Sequence, residues 1–196
     1  MQDEAGRRSN RERTQTTRAA LLAAARKLFV EKGYAETGTP ELVAAAGLTR
    51  GALYHHFSDK QALFRAVIEA EAAAVASEIE QGSAASTDPV DALLAGGRAY
   101  IQAMRVAGRT RLLLLDGPAV LGRGAMDEID ARNGNRTLRE GLAAAMRAGA
   151  IARLPLEALT AQLGAMFDRA ALAIEQDGDA EDQMKAVAAL VGGLKR

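Results

Sequence analysis

The apolar positions of this chain fall into helical periods almost throughout, separated by short glycine, proline and aspartate breaks. Leu21, Ala25, Leu28 and Phe29 recur at the spacing of a core-facing stripe, which predicts a first helix over about 16–32, stopped by Gly33. Thr39-Pro40 reads as an N-cap with a first-turn proline, opening a short second helix that ends near Ala46, before Gly47. Thr49 caps a third short helix to about Phe57. Ser58-Asp59 cap a fourth, with Leu63, Phe64, Val67 and Ile68 on one side. Asp88, Pro89 and Asp91 open a fifth. Further breaks fall at Gly108, at Asp116-Gly117-Pro118, at 122–124, at 149–155 and at 177–179. Between them lie a long amphipathic helix over about 126–148 and two closing helices, roughly 155–176 and 179–194. The four-leucine run from Leu112 to Leu115 is too short for periodicity to decide, and its helical surroundings make it helix. The expected fold is all-α. Residues 1–13 form a disordered basic tail, and 14–60 a three-helix unit whose connecting helix continues to about 80. Residues 81–196 form a larger helical domain.

Composition narrows the function. Hydrophobic residues make up 48% and charged residues 26%, which excludes disordered and collagen-like classes. Cysteine is absent, so there is no disulfide framework, thiolate zinc site or cysteine nucleophile. With two histidines, His55 and His56, diverging by about 100° on a helix, no metal site is expected, and no cofactor. No apolar run approaches ~20 residues and the polar N-terminus is no signal peptide, so a cytoplasmic protein without membrane contact is expected. Enzyme signatures are missing: Gly122-Arg123-Gly124 lacks the third glycine of a dinucleotide fingerprint, and no Walker loop or nucleophile elbow is present. The formal net charge is zero, yet residues 1–65 hold eleven Lys/Arg against seven Asp/Glu. That basic third is either an electrostatic footprint for a polyanion or a solvated tail.

Three short helices in tandem with a glycine turn are the plan of a helix-turn-helix. Ala44-Ala45-Ala46 lets two helices approach, Gly47 supplies a positive φ, and Leu42, Leu48 and Leu53 bury the corner. On a helical wheel Leu53 and Phe57 point inward, while Gly51, Ala52, Tyr54 and His55 point broadly outward. Small residues let the backbone approach a base edge, and Tyr and His offer donors to phosphate oxygens. Together Ala24-Ala25, Leu28-Phe29, Gly33-Tyr34, Thr37, Ala46-Gly47-Leu48-Thr49, Gly51-Ala52-Leu53-Tyr54, His56-Phe57 and Lys60 resemble the DNA-binding domain of the tetracycline-repressor (TetR) family. The resemblance covers about 50 residues. Gly38 departs from it, standing where the family often has Ser or Thr.

The resemblance implies roles by position. Thr39 is similar to a phosphate contact at the second helix. Thr49 and Arg50 sit where phosphates and bases are approached. Gly51 and Ala52 match major-groove positions, and Tyr54, His55 and His56 match phosphate contacts. Lys60 matches a contact from the fourth helix.

The remaining residues then have two expected uses. One is a homodimer, through near-heptad stripes on the closing helices: Leu156, Leu159, Leu163, Gly164, Phe167, Ala170, Ala171 and Ile174, then Val187, Leu190, Val191 and Leu194. The other is a pocket for a small-molecule effector, with Tyr100, Met104, Leu112, Leu115, Met126, Met146, Met166 and Phe167 as candidate liners. Scarce aromatics favour an aliphatic or small polar ligand over a flat cationic drug. The expected function is a ligand-responsive repressor binding a palindromic operator in double-stranded DNA. The alternatives are a ligand-independent or activating regulator working through a protein partner, and an enzyme or carrier with a vestigial DNA-binding domain.

Overall fold

The computed structural model of the chain describes the backbone of residues 2–195 and the side chains from Glu12 onward. Among the described residues all regular structure is helical. The order is α1 (Gln2–Glu36), α2 (Thr39–Ala45), α3 (Arg50–His56), α4 (Lys60–Ser83), α5 (Pro89–Met104), a π-helical turn (Arg111–Asp116), α6 (Gly117–Leu121), α7 (Arg123–Arg132), α8 (Gly134–Arg147), α9 (Leu156–Glu175) and α10 (Ala180–Gly192). Two compact units result, Met1–Ile68 and Glu69–Arg196. The boundary falls inside α4, not at 60 or 81, because Leu63, Phe64, Val67 and Ile68 on its first turns are buried.

In the first unit α1 starts well before the expected 16. Thr16 is an interior residue whose hydroxyl donates back to Glu12 O at 2.9 Å, so it caps nothing. The stretch expected as a disordered tail is continuous with this helix, since Arg, Glu and Gln propagate a helix once it is nucleated. The side chains of residues 1–11, most of its basic arm, lie outside the described residues. Gly33, at φ 82° and ψ 168°, makes a kink rather than a stop. There the buried Thr37 hydroxyl donates to Gly33 O at 2.7 Å and turns the chain toward α2. Thr39 is not the N-cap of α2. That position is Gly38, which has no side chain to cap with, and Pro40 fills the first turn instead.

The second unit is a helical bundle. Val90, Leu93, Leu142, Ala145, Ile151, Leu163, Phe167, Val187 and Val191 form its core. Asp88 caps α5 by accepting from the Val90 and Asp91 amides, both at 2.9 Å. Asp179 caps α10 in the same manner. Three departures from the sequence reading occur. The expected long helix over 126–148 is two, because Asn133 leaves helical geometry at φ −126°, ψ −108° and its amide binds Ile129 O at 2.7 Å. Gly117-Pro118 is not a break, since the helix runs through it from the leucine run. That run is a π turn, so its faces are rotated from those of an α-helix. Arg109 is buried and donates to Glu71 at 3.0 Å, to Glu78 at 2.9 Å and to Ala103 O at 2.7 Å, which fixes the loop after α5.

Candidate nucleic-acid interface

In α2 and α3 a few buried residues hold an outward face. Leu42 and Leu53 are 1% and 0% exposed and Phe57 is 5%, so the inner side of both short helices is fixed by apolar burial. Gly47 turns between them at φ 64°, a conformation open to glycine at little cost. Thr49 caps α3, its hydroxyl accepting from the Ala52 amide at 3.2 Å. Behind them Phe29, Tyr34 and Phe64 meet with ring centroids 5.0–5.8 Å apart. The outward side of α3 presents Arg50, Gly51, Tyr54 and His55, with the Arg50 guanidinium 5.5 Å from the Tyr54 ring centre. Tyr54 is 42% exposed, unusual for a large aromatic in a small unit. Ala52, His56 and Thr39 are half-buried at its edge. Burial, then the charges of His55 and Arg18, hold the His56 pKa below its ordinary value. At neutral pH His56 therefore offers a neutral N–H donor. The Arg18 guanidinium lies 4.6 Å from the Phe57 ring centre and brings α1's charge beside this corner. The Lys60 ammonium is turned inward. It donates to Tyr34 O at 2.9 Å and Thr37 O at 3.0 Å and sits 4.2 Å above the Tyr34 ring. Two of its three protons thus tie the end of α1 to the start of α4.

The second unit holds a partly open cavity of about 150 Å³ among α4, α5, the π turn, α7, α8 and α9. Its walls are mostly apolar, with a polar end of Tyr100, Asp130, Asn135 and Asp168. The Tyr100 hydroxyl donates to Asp168 Oδ1 at 2.7 Å. Burial, then the neighbouring Asp168 and Asp127 charges, push the Asp130 pKa up to about 7, against the opposing pull of Arg123. Burial raises Asp168 as well, opposed by the Tyr100 hydrogen bond and by Arg123. Three glycines stand where side chains would intrude: a Cβ on Gly97 would lie 2.6 Å from the Phe167 ring, on Gly141 2.9 Å from Leu93, and on Gly164 2.6 Å from Asn135.

Residues 21–67 match the family model described as bacterial regulatory proteins, tetR family. Residues 90–195, more than half of the chain, match the tetracyclin repressor-like C-terminal domain. The chain belongs to the TetR family. A crystal structure of a TetR-family transcriptional regulator from Pectobacterium atrosepticum is 32% identical with a TM-score of 0.75, over 94% of this chain and 97% of that one. The transcriptional activator FasR of Mycolicibacterium smegmatis is 35% identical over 94 residues, 48% of this chain and 43% of that protein. The transcriptional regulator AcrR of Shigella flexneri is 36% identical over 87 residues, 44% of this chain and 40% of that protein. The chain thus matches about two fifths of the length of these curated relatives. It is a helix-turn-helix transcriptional regulator, a class that is not enzymatic. Among the described residues no three His, Asp or Glu side chains gather as a metal site, and no helix is long and apolar enough to cross a membrane.

The TetR-type second unit redistributes the expected effector residues. Tyr100, Met104 and Phe167 line the cavity; Leu112, Leu115, Met126, Met146 and Met166 do not. The π turn explains the leucines, because it turns Leu113 and Leu114 to the cavity, buries Leu112 elsewhere and leaves Leu115 50% exposed. The Met126 sulfur is taken up by the space over Gly117, where a Cβ would lie 2.9 Å away. Met146 and Met166 pack against the bundle core. Asp130, Asn135 and Asp168 were not among the expected liners. Their signal was a polar residue beside an apolar stripe, Asp130 after Ile129 and Asp168 after Phe167.

The dimer stripe is corrected in part. Leu163, Phe167, Ala170, Ala171, Val187 and Val191 are buried in the subunit's own core, because the strongly apolar side of each closing helix faces inward. Leu156, Leu159, Gly164, Ile174 and Leu194 are half-buried, and Leu190 is 60% exposed. The outer side instead carries small residues, Ala158, Ala161 and Ala165 on α9 and Ala186 and Ala189 on α10.

Proposed function

We propose that this chain is an effector-responsive repressor that binds a palindromic operator as a homodimer. The observation that carries the DNA-reading part is the outward face of α3, where Tyr54, His55 and Arg50 surround the bare Gly51 while Leu53 and Phe57 anchor the helix. Gly51 and Ala52 admit the backbone to the major groove, and Arg50 reads base edges. Thr39, Thr49, Tyr54, His55 and His56 hold phosphates, joined by the remaining proton of Lys60. The dimer forms through the alanine-rich outer side of α9 and α10 together with Leu190, where small side chains permit close helix approach. The cavity of the second unit supports an effector, whose binding shifts the population away from the DNA-competent state.

The test is selection of DNA sites from a random pool with the full chain, followed by footprinting and sedimentation. A two-fold symmetric site protected by a dimer is expected. An asymmetric half-site bound by a monomer overturns the operator and dimer claims together. A second reading, activation, is favoured by the match to FasR, named an activator. Transcription from a promoter carrying the selected site, with and without the protein, separates the two.

A further inference from the structure

We propose that the cavity of the second unit takes a small, largely apolar molecule bearing a protonated amine, with its ammonium seated against Asp130 and Asp168. The proposal names the ligand class of the effector cavity, and only its consequence at DNA rests on the effector-responsive reading above.

The geometry of the cavity argues for this chemistry. Val75, Ile79, Leu93, Met104, Leu113 and Phe167 give apolar walls that suit a hydrocarbon body. A volume of about 150 Å³ matches a single ring or a short chain. The polar end is rich in acceptors. Asp130 and Asp168 bring carboxylate oxygens, and Tyr100 has spent its one hydroxyl proton on Asp168, leaving oxygen lone pairs. Neither carboxylate forms an ion pair with a basic side chain among the described residues, and Arg123 acts on both from beyond ion-pairing distance. Two neighbouring carboxylates in a largely apolar cavity repel each other and favour a positive partner that donates hydrogen bonds. An anionic ligand would add a third negative charge to the same end. Aromatic walls are limited to Tyr100 and Phe167, whose ring centres are 5.9 Å apart, so the site suits a compact amine rather than a large flat cation.

The probes are three molecules of one shape: benzylamine, benzyl alcohol and benzoate, titrated calorimetrically into the full chain at pH 7.5. Benzylamine is expected to bind at least about tenfold more tightly than benzyl alcohol, and benzoate not at all. Asp168→Asn and Asp130→Asn should each remove most of that preference, lowering benzylamine affinity far more than that of benzyl alcohol, in variants whose melting shows them folded. Should a variant not fold, the native chain supplies an independent readout. The titratable and charged groups about the pair are Tyr100 from α5, Arg123 and Asp127 from α7 and Asp168 from α9; α4 and α8 contribute Ser83, Asn135 and Thr137 as uncharged liners. Benzylamine stays charged from pH 6 to 8, so its affinity should rise over that range as Asp130 loses its proton. Equal or tighter binding of benzyl alcohol or benzoate overturns the proposal, as does binding of none of the three, or an amine preference that survives both substitutions. The same titration on the DNA-bound chain distinguishes the two readings. Benzylamine that binds without releasing DNA leaves the amine site standing and overturns the effector-responsive reading. Release of DNA by molecules with no amine preference does the reverse.

Discussion

Replacing Gly51 separates folding from DNA reading. Gly51 is the second residue of α3, exposed, and an added Cβ would meet only the Thr49 hydroxyl oxygen, at an ordinary 3.8 Å. Its backbone is helical, so an alanine there needs no strained geometry and reduces the freedom of the unfolded chain. Gly51→Ala should therefore stabilise the protein by about 0.5–1 kcal/mol. For a chain of this size that is a rise of roughly 2–4 °C in Tm per kcal/mol. Gly51→Leu keeps most of that gain, since leucine is a good helix former and the site is open. The same four-carbon side chain stands where α3 would meet the groove floor. Its bulk should weaken operator binding at least tenfold, about 1.4 kcal/mol. The assay pairs thermal melting with fluorescence anisotropy on the selected operator, from one preparation of each variant. Affinity unchanged in Gly51→Leu means that this face does not meet DNA. Loss of stability together with affinity means that Gly51 is a packing residue and that the outward assignment is in error.

Lys60→Ala should lower stability by about 1–3 kcal/mol in urea unfolding, because two carbonyls at the α1–α4 junction lose a charged donor. It should also flatten the salt dependence of operator affinity by about one, and an unchanged slope would confine Lys60 to its internal bonds. Arg109→Ala removes the buried guanidinium that donates to Glu71, Glu78 and Ala103 O and should cost about 3–5 kcal/mol; an effect below 1 kcal/mol in the same assay would contradict the burial. Gly97→Ala drives a Cβ into the Phe167 ring and should cost about 1–3 kcal/mol while shrinking the cavity, read as weaker ligand binding. The Asp130 carboxyl is held up at about 7 in the folded state, so its protonated form is the one the fold favours. Its contribution is present in full below the unfolded value near 4 and fades as pH rises through 7. Asp130→Asn should thus gain on the order of 2–4 kcal/mol relative to the parent between pH 4 and pH 8, and parallel pH–stability curves for the two proteins would refute it.

The helix boundaries that could be read in advance are those where one side chain does the capping. Asp88, Asp179 and Thr49 each place an oxygen two or three residues before an open amide, a local bond that needs no tertiary information. Gly47 was equally legible, since the corner needs a positive φ. The failures are of another kind. Thr39 looked like a cap because the rule weighs the side chain alone, while Gly38 took the position through backbone geometry. The break at Asn133 was written in Asn133-Gly134-Asn135, but the apolar periodicity on both sides outweighed it. The π turn has no residue signature in a run of leucines, and it alone moved the cavity lining from Leu112 and Leu115 to Leu113 and Leu114. The outward face of α3 was legible because a seven-residue helix has one way to bury Leu53 and Phe57. The cavity was not, since it depends on where six elements stop short of one another.

Gly97, Gly141 and Gly164 let Phe167, Leu93 and Asn135, all of which line the cavity, pack directly on the helix backbone. Close packing of this sort is encoded as omission, and omission is simple to edit. A glycine codon becomes an alanine codon by a single base change, and the added methyl group displaces the cavity-lining side chain that rests on that glycine. Each of these positions is therefore a one-step control on the shape of the cavity. Such steps leave the residues of α3 untouched. Under the proposed function, a lineage with this arrangement can exchange its effector for one of another shape while the site it reads on DNA stays the same.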